Sequence, residues 1–273
     1  MKKIFAVFGD PIEHSLSPVM HNAAFKAKGM DCTYHAFRVS REKLKDAIKG
    51  AHAMGFGGLN LTVPLKEEAL KIVEPDLLAA VMGAVNTVDL KDGIRGYNTD
   101  GIGAERALVD AGVKIEGAKV LIVGAGGAAR GISFQLASDG ADVTIANRTP
   151  ERAMRLAEDV AVAGNVKGCG LEQLDDLIAS ADVLINCTTL GMHPQVETTI
   201  ATAEQMHAGL VVFDIVYNPL KTKLLMEAEK AGSKTVSGVM MLVYQGAEAF
   251  RIWTGVEPPV EVMKEAVMGA LRT

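Results

Sequence analysis

The chain is poor in aromatic residues: Phe, Tyr and Trp make up 5% of its 273 positions, with one tryptophan. So few rings leave no platform on which nucleic-acid bases would stack. Positive charge is not in excess either, with 28 Lys and Arg against 33 Asp and Glu. Neither a polyanion nor an anionic membrane surface is therefore the expected partner. Cysteine is scarce and dispersed, at Cys32, Cys169 and Cys187, with no C-x-x-C pair. That excludes a disulfide framework and fits thiols in a reducing, cytoplasmic compartment. No apolar run approaches the length of a membrane-spanning helix. The run Ile4 to Phe8 is too short for a signal-peptide core and ends at Gly9-Asp10-Pro11, so it reads as a first β-strand. The histidines show no H-x-x-x-H spacing, and no metal is expected.

What is present is a core-forming composition, 49% hydrophobic and 22% charged, on a chain long enough for two modest domains. Short β-type runs alternate with helical ones, the pattern of a parallel α/β architecture. Ser17-Pro18 reads as an N-cap followed by proline in the first turn, with Gly29 closing that helix. Thr33 to Val39 reads as a strand, Arg41 to Ala53 as a helix, and Gly58 to Val63 as a strand stopped by Pro64. Asp92-Gly93 between two short apolar runs is a hairpin signal. A helix from Ile102 to Gly112 leads into a second series, with strands at 119–123, 142–146, 183–186, 210–214 and 234–236. The last stretch, 238–253 and 260–271, is helical and broken at Pro258-Pro259.

The strongest local signal is Val120 to Val123 running into Gly124-Ala125-Gly126-Gly127-Ala128-Ala129, a G-x-G-x-x-A pattern at a strand-to-helix turn. Gly124 permits the tight turn and Gly126 lets a pyrophosphate approach the backbone. Ala129 keeps the helix close to the sheet, and the helix N-terminus supplies free N–H groups and partial positive charge. An NAD site would place Asp or Glu about 20 residues further on, to accept from the ribose 2′-hydroxyl. This chain has Asn147-Arg148-Thr149 there, with Arg152 one turn into the next helix. Two guanidiniums and a hydroxyl suit a 2′-phosphate, so NADP is the expected cofactor. Glu151 stands close by, and the first turn of a helix favours an acid pointing outward.

Three polar clusters mark the first half. Ser15-Leu16-Ser17-Pro18 precedes a helix, where hydroxyls and N–H groups suit a carboxylate, although an N-cap alone would explain Ser17. Asn60-Leu61-Thr62-Val63-Pro64-Leu65-Lys66 puts an amide, a hydroxyl and an amine at a strand end, and alternation places Asn60 and Thr62 on one face. Asn86-Thr87 and Asn98-Thr99-Asp100 flank the hairpin, where Asx-turn chemistry is the ordinary account.

Taken in order, Gly9 to Pro18 with His21-Asn22, Asn60 to Lys66, Gly83 to Thr87, Tyr97 to Gly101, Gly124 to Arg130, Asn147 to Thr149, Asn186 to Met192, Asp214 to Pro219 and Gly238 to Gln245 resemble the shikimate dehydrogenase family. The resemblance spans nearly the whole chain. It implies reduction of 3-dehydroshikimate to shikimate by NADPH, on the route to chorismate and the aromatic amino acids. It also implies an α/β substrate domain at 1–100 and a Rossmann-type, doubly wound NADP domain at 101–237, with a cleft between them. C-terminal helices at 238–273 would pack back on the substrate domain. Carried over by motif, Ser15 and Ser17 would bind the substrate carboxylate with help from Thr62 and Tyr217. Asn60, Asn86 and Gln245 would bind ring hydroxyls, and Lys66 and Asp100 would form the catalytic pair. Ile215, Gly238 and Met241 would lie near the nicotinamide, and Thr188 near the cofactor ribose. The expected partner is a small-molecule substrate, and the chain would be a monomer or homodimer. Two other readings stand beside this one: a quinate or quinate/shikimate dehydrogenase using NAD, and a non-catalytic dinucleotide sensor. Asn147 to Thr149 argues against the first, and the presence of both Lys66 and Asp100 against the second.

Overall fold

The computed structural model describes residues 2–272. It divides into two compact units, one formed by the chain up to Asp100 and again from Leu242, the other by Gly101–Met241.

The first unit opens with β1 (Lys3–Gly9), α1 (Ser17–Ala27), β2 (Cys32–Arg38), α2 (Leu44–Ala53) and β3 (Gly58–Leu61). It continues with β4 (Glu74–Pro75), α3 (Leu77–Met82), β5 (Thr87–Asp89) and β6 (Arg95–Tyr97). The sheet order is β2-β1-β3-β5-β6-β4. Strands β2, β1 and β3 pair in parallel, while β5 is antiparallel to both β3 and β6. Strand β1 is apolar on both faces because it lies inside the sheet, with Phe5, Ala6, Val7 and Phe8 all buried. Helix α2 turns Leu44, Ile48 and Ala51 into a core shared with Leu59, Leu61, Leu65 and Val88. Asp76 caps α3 by accepting from the Ala79 N–H at 2.7 Å.

Helix α4 (Asp100–Asp110), whose first residue belongs to the first unit, leads in the second to β7 (Lys119–Val123), α5 (Gly127–Ser138), β8 (Asp142–Ala146), α6 (Pro150–Val160) and β9 (Val166–Cys169). Then come α7 (Leu174–Ser180), β10 (Val183–Asn186), β11 (Val211–Asp214), α8 (Lys223–Lys230) and β12 (Lys234–Ser237). All six strands are parallel, in the order β12-β11-β10-β7-β8-β9. This is the doubly wound dinucleotide-binding topology: the strand order reverses between β7 and β10, and folds of this kind bind their ligands outside the carboxyl ends of the strands at that point.

Two helices complete the chain, α9 (Gly238–Thr254) and α10 (Val260–Leu271). From Leu242 onward both belong to the first unit, where α10 packs on α1. There the Trp253 indole donates to the Val88 carbonyl at 3.0 Å and packs, tilted, with its ring centre 5.1 Å from that of Phe5. Gly238 to Met241 belong to the second unit, four residues past the boundary expected at 237. The reason is close packing: a Cβ on Gly238 would stand 2.4 Å from the Ile215 carbonyl oxygen, so the first turn of α9 is held against the end of β11.

Several local expectations are corrected. Ser17 is not an N-cap; the cap position is Leu16, and Ser17 is the first residue of α1, its hydroxyl turned to a tertiary partner. The segment from Arg41 begins as a 3-10 turn, Arg41–Lys43, before α2. Strand β3 stops at Leu61 rather than Val63. Strands β4 and β9 were not signalled by periodicity.

Candidate active site

In the first unit, six segments deliver polar side chains into one buried network. Lys66, in the loop after β3, donates from Nζ to Asp100 Oδ2 at 2.5 Å, and the two side chains are 15% and 5% exposed. Asp100 begins α4, where the Asn98 side chain accepts from its backbone N–H, so the Asx-turn reading of this segment holds. Its second oxygen accepts from Asn86 Nδ2 at 2.8 Å. Asn86, 2% exposed, is fixed in turn: its Oδ1 accepts from the Thr99 N–H at 2.8 Å and from the Thr87 hydroxyl at 2.9 Å. Asn60 Nδ2 donates to Thr87 Oγ1 at 3.0 Å and to the Asn86 carbonyl at 3.2 Å, and Asn60 Oδ1 accepts from the Tyr34 hydroxyl at 2.7 Å.

Tyr34 is itself clamped. Asn22 of α1 bonds both its N–H and its carbonyl at 2.9 Å, its phenol lies beside the Ser17 hydroxyl, and its ring stacks on His21 at 4.5 Å. Burial drives the Tyr34 phenol well above its ordinary range and the His21 imidazole down to about 3, so both rings are neutral at physiological pH. Ser15 is half-buried beside Ser17 and accepts from its N–H at 3.4 Å. Thr62 is half-buried, with its methyl packed on Gly9. Gln245 is half-buried too, its amide donating to the Leu242 carbonyl within α9.

This arrangement offers a cation held against a carboxylate that is pinned through both oxygens, next to hydroxyls and amides. An oxygen that gains negative charge beside Lys66 would meet a positioned donor largely withdrawn from water, where electrostatic stabilisation is strongest.

In the second unit, Gly124 ends β7 with φ of +114°, and a Cβ there would stand 2.9 Å from the Cys187 carbonyl oxygen. No other residue type fits both constraints. Helix α5 starts next, with Gly126 at its cap and no side chain capping it, so its N–H groups suit a phosphate. Ala125, Gly127 and Ala128 are half-buried around this turn, and Ala129 is buried against the sheet. At the end of β8, Asn147 Nδ2 donates to the Thr149 carbonyl, which shapes the turn into α6. Arg148 and Thr149 are exposed, and Arg152 reaches back to the Ala125 carbonyl at 3.2 Å, which joins the basic cluster to the glycine turn. Glu151 is exposed. A phosphate-bearing dinucleotide with a charged 2′ group fits this donor set, because no acid closes the end of β8.

The loops after β10 and β11 are tied together by Asp214, which is fully buried. It accepts from Thr222 Oγ1 at 2.6 Å, Asn186 Nδ2 at 2.9 Å and the Val216 N–H at 3.0 Å. Burial raises its carboxyl to about 6, and those three donors oppose the rise. Asn186 Oδ1 accepts from both the N–H and the hydroxyl of Thr188, fixing the loop that approaches Gly124. Ile215 and Tyr217 are half-buried after β11, and Met241 is buried in α9.

The structure thus joins Asn60, Asn86, Lys66 and Asp100 in one hydrogen-bonded network, with the Ser17 hydroxyl beside the Tyr34 phenol at its end. Ser15 approaches it only through the Ser17 N–H, and no described bond links Thr62 or Gln245 to it. Tyr217 belongs to the second unit, with the glycine turn and the arginines. Among the described residues no His, Cys, Asp and Glu cluster could hold a metal ion. Sequence reading missed Tyr34, Asn22 and the bridging roles of Thr87 and Thr99. The adjacency of His21-Asn22 to the serine cluster was the one available hint.

Comparison with known proteins agrees along the whole chain. Residues 7–88 match the family model for the shikimate dehydrogenase substrate binding domain. Residues 105–220 match that for shikimate / quinate 5-dehydrogenase, and 238–268 that for the shikimate 5'-dehydrogenase C-terminal domain. The shikimate dehydrogenase (NADP(+)) of Methanosarcina acetivorans is 65% identical over 279 aligned positions that cover 100% of both chains. A crystal structure of a shikimate dehydrogenase in complex with NADP+ superposes with a TM-score of 0.93 at 45% identity, covering 99% of this chain and 96% of the other. The Thermus thermophilus shikimate 5-dehydrogenase, in complex with NADP(H) and shikimate, gives 0.89 at 38% identity, covering 98% and 100%.

Proposed function

The chain belongs to the shikimate dehydrogenase family; it interconverts 3-dehydroshikimate and shikimate with NADP(H), and we propose that Lys66 and Asp100 are the pair at the reacting oxygen. The observation that carries the proposal is their ion pair, with Asp100 pinned through Asn86. In this reading the first unit binds the substrate and the second the cofactor. NADPH, when bound, supplies the hydride. Reduction leaves negative charge on the former carbonyl oxygen. Lys66 Nζ, one of whose three hydrogens is held by Asp100, has donors left to bond that oxygen and to pass it a proton. Asp100 keeps the ammonium aimed and accepts from the hydroxyl formed.

Substrate binding follows the same logic. Ser15 and Ser17 stand at the start of α1, where hydroxyls suit a carboxylate, with Thr62 as a further hydroxyl of the same unit. Both amide hydrogens of Asn60 are committed to Thr87 and the Asn86 carbonyl, so Asn60 presents an accepting oxygen and takes a substrate hydroxyl. Asn86 and Gln245 serve the remaining ring hydroxyls. The glycine turn Gly124 to Ala128 and the start of α5 hold the pyrophosphate, and Thr188 lies at the cofactor ribose. Ile215, Gly238 and Met241 line the nicotinamide site, and Asn147, Arg148, Thr149 and Arg152 take the 2′-phosphate. No helix among the described residues is long and apolar enough to cross a membrane. A cytosolic enzyme acting on a small molecule completes the reading.

The test is reduced-nicotinamide absorbance with shikimate or quinate, each offered with NADP or NAD. Turnover concentrated on shikimate with NADP supports the reading; preference for quinate or NAD moves the chain to another specificity in the same family. Arg148→Ala separates the cofactors further. Losing one charge-assisted contact to the 2′-phosphate is expected to raise KM for NADP about tenfold while KM for NAD stays within about twofold. Equal changes for both would remove Arg148 from the phosphate site.

A further inference from the structure

Thr87 is the first residue of β5 and fully buried, and the reading above uses it only as an acceptor for Asn60. Its hydroxyl sits between two amides that do enter that reading. It accepts from Asn60 Nδ2 at 3.0 Å and donates to Asn86 Oδ1 at 2.9 Å. These bonds belong to a chain in which every link donates in one direction. The Tyr34 hydroxyl donates to Asn60, Asn60 to Thr87, Thr87 to Asn86, and Asn86 to Asp100, whose other oxygen accepts from Lys66. A carboxylate is acceptor-only, so it fixes the direction from its end. Bonds aligned head to tail also polarise and strengthen one another.

A hydroxyl is the one small group able to join these amides at this point, because it must accept on one side and donate on the other. The Thr99 N–H holds Asn86 from a second side. Thr87 is therefore not needed to choose Asn86's orientation; it couples the Asn60 amide to the Asn86 side chain, which the direct bond from Asn60 Nδ2 to the Asn86 backbone carbonyl does not reach. Without it, one Asn60 amide hydrogen loses its acceptor inside the protein, and Asn86 loses one donor. Both side chains then gain freedom beside Asp100.

We propose that Thr87 is a positioning residue for this reaction: its hydroxyl locks the hydroxyl-binding amide of Asn60 to the Asn86–Asp100–Lys66 arm so that they act as one rigid piece. The inference rests on the reading of Lys66, Asp100 and Asn60 given above.

The experiment compares Thr87→Val with Thr87→Ser. Valine keeps the shape and loses the hydroxyl; serine keeps the hydroxyl and loses a methyl. If the hydroxyl matters, Val is expected to lower kcat/KM for shikimate about tenfold, and Ser to stay within about threefold of the parent. KM for NADP should stay within about twofold in both. If Thr87 only fills space, the ranking reverses, with Val near the parent and Ser impaired; that result, or equal activity in both, overturns the inference. Should Val fail to fold, Thr87→Ser against Thr87→Ala makes the comparison instead, since those two side chains differ by the hydroxyl alone. A hydroxyl-dependent gap supports the proposal, and no gap overturns it. Lys66→Ala is measured alongside. If that variant turns over normally, the reading of the site is wrong; if it is inactive while Thr87→Val matches the parent, only the role of Thr87 is wrong.

Discussion

Lys66→Ala is expected to lower kcat by roughly a hundred- to ten-thousandfold, the range for losing a positioned proton donor. The affinity for NADPH should hold, because the glycine turn and Arg148, Thr149 and Arg152 all belong to the other unit. The size of the loss follows from where the amine sits. Lys66 is 15% exposed and its partner 5%, so water cannot readily replace the missing donor at the oxygen that gains charge. Removing the amine also leaves Asp100 buried with Asn86 as its remaining side-chain donor, and breaking a buried ion pair from one side is destabilising by about 3–5 kcal/mol. Lost activity must therefore be separated from lost fold. Lys66→Arg does so: a cation still faces Asp100, but a guanidinium does not give up a proton, and its planar fork cannot occupy the place of a point donor. Arginine is expected to unfold in urea at nearly the parent concentration and still lose at least about tenfold in kcat. Stopped-flow turnover beside urea unfolding checks both, and parent-like turnover in Lys66→Ala would remove this residue from the chemistry.

The parts of this picture that were legible in sequence are those carried by neighbouring residues. The turn from β7 into α5 shows because a strand, three glycines and a helix follow one another within a few positions. The β5–β6 hairpin shows because Asp92-Gly93 sits between its strands. What escaped is what only the fold brings together. Tyr34 and Asn60 are 26 residues apart, and Asn60 and Thr87 are 27 apart; Lys66 and Asp100, 34 apart, are paired in the sequence by the resemblance alone. Nothing local tells a network hydroxyl such as Thr87 from an ordinary strand threonine. The resemblance named the ends of that network and said nothing of its middle. Ser17 shows the reverse error. Serine before a helical run reads as a cap, yet α1 starts one residue earlier and the hydroxyl is engaged by Tyr34 from β2. Strand β9 was invisible for a third reason: Val166-Lys167-Gly168-Cys169 has neither alternation nor an apolar run, and it forms as an edge pairing only with β8.

Acidification is expected to loosen the first unit through His21. Its ring is fully buried between Tyr34 at 4.5 Å and Trp253 at 5.4 Å, near Phe25 at 6.3 Å, and neither nitrogen finds a hydrogen-bond partner among the described residues. Of these neighbours only Tyr34 titrates, and burial holds it neutral. Burial alone lowers the imidazole to about 3 in the folded chain, against 6.5 when unfolded. The unfolded state thus binds one more proton across that interval, so this contribution to stability is complete above the unfolded value and is lost as pH falls toward the folded one. Between pH 7 and pH 5 the loss from this one group is about 2 kcal/mol. Asp214 works in the opposite sense in the second unit: its raised carboxyl stabilises the fold below 3.8, an effect lost as pH rises through about 6. The two are separable by spectroscopy. The single tryptophan, Trp253, lies in the first unit beside His21, so its fluorescence follows that unit's unfolding. His21→Gln removes the titration while keeping a polar side chain, and the slope of stability with pH is the readout rather than its absolute value. Urea unfolding by Trp253 fluorescence should then show the parent losing about 2 kcal/mol more than the variant between pH 7 and 5. Parallel losses in the two proteins would mean that the acid sensitivity of this unit arises elsewhere.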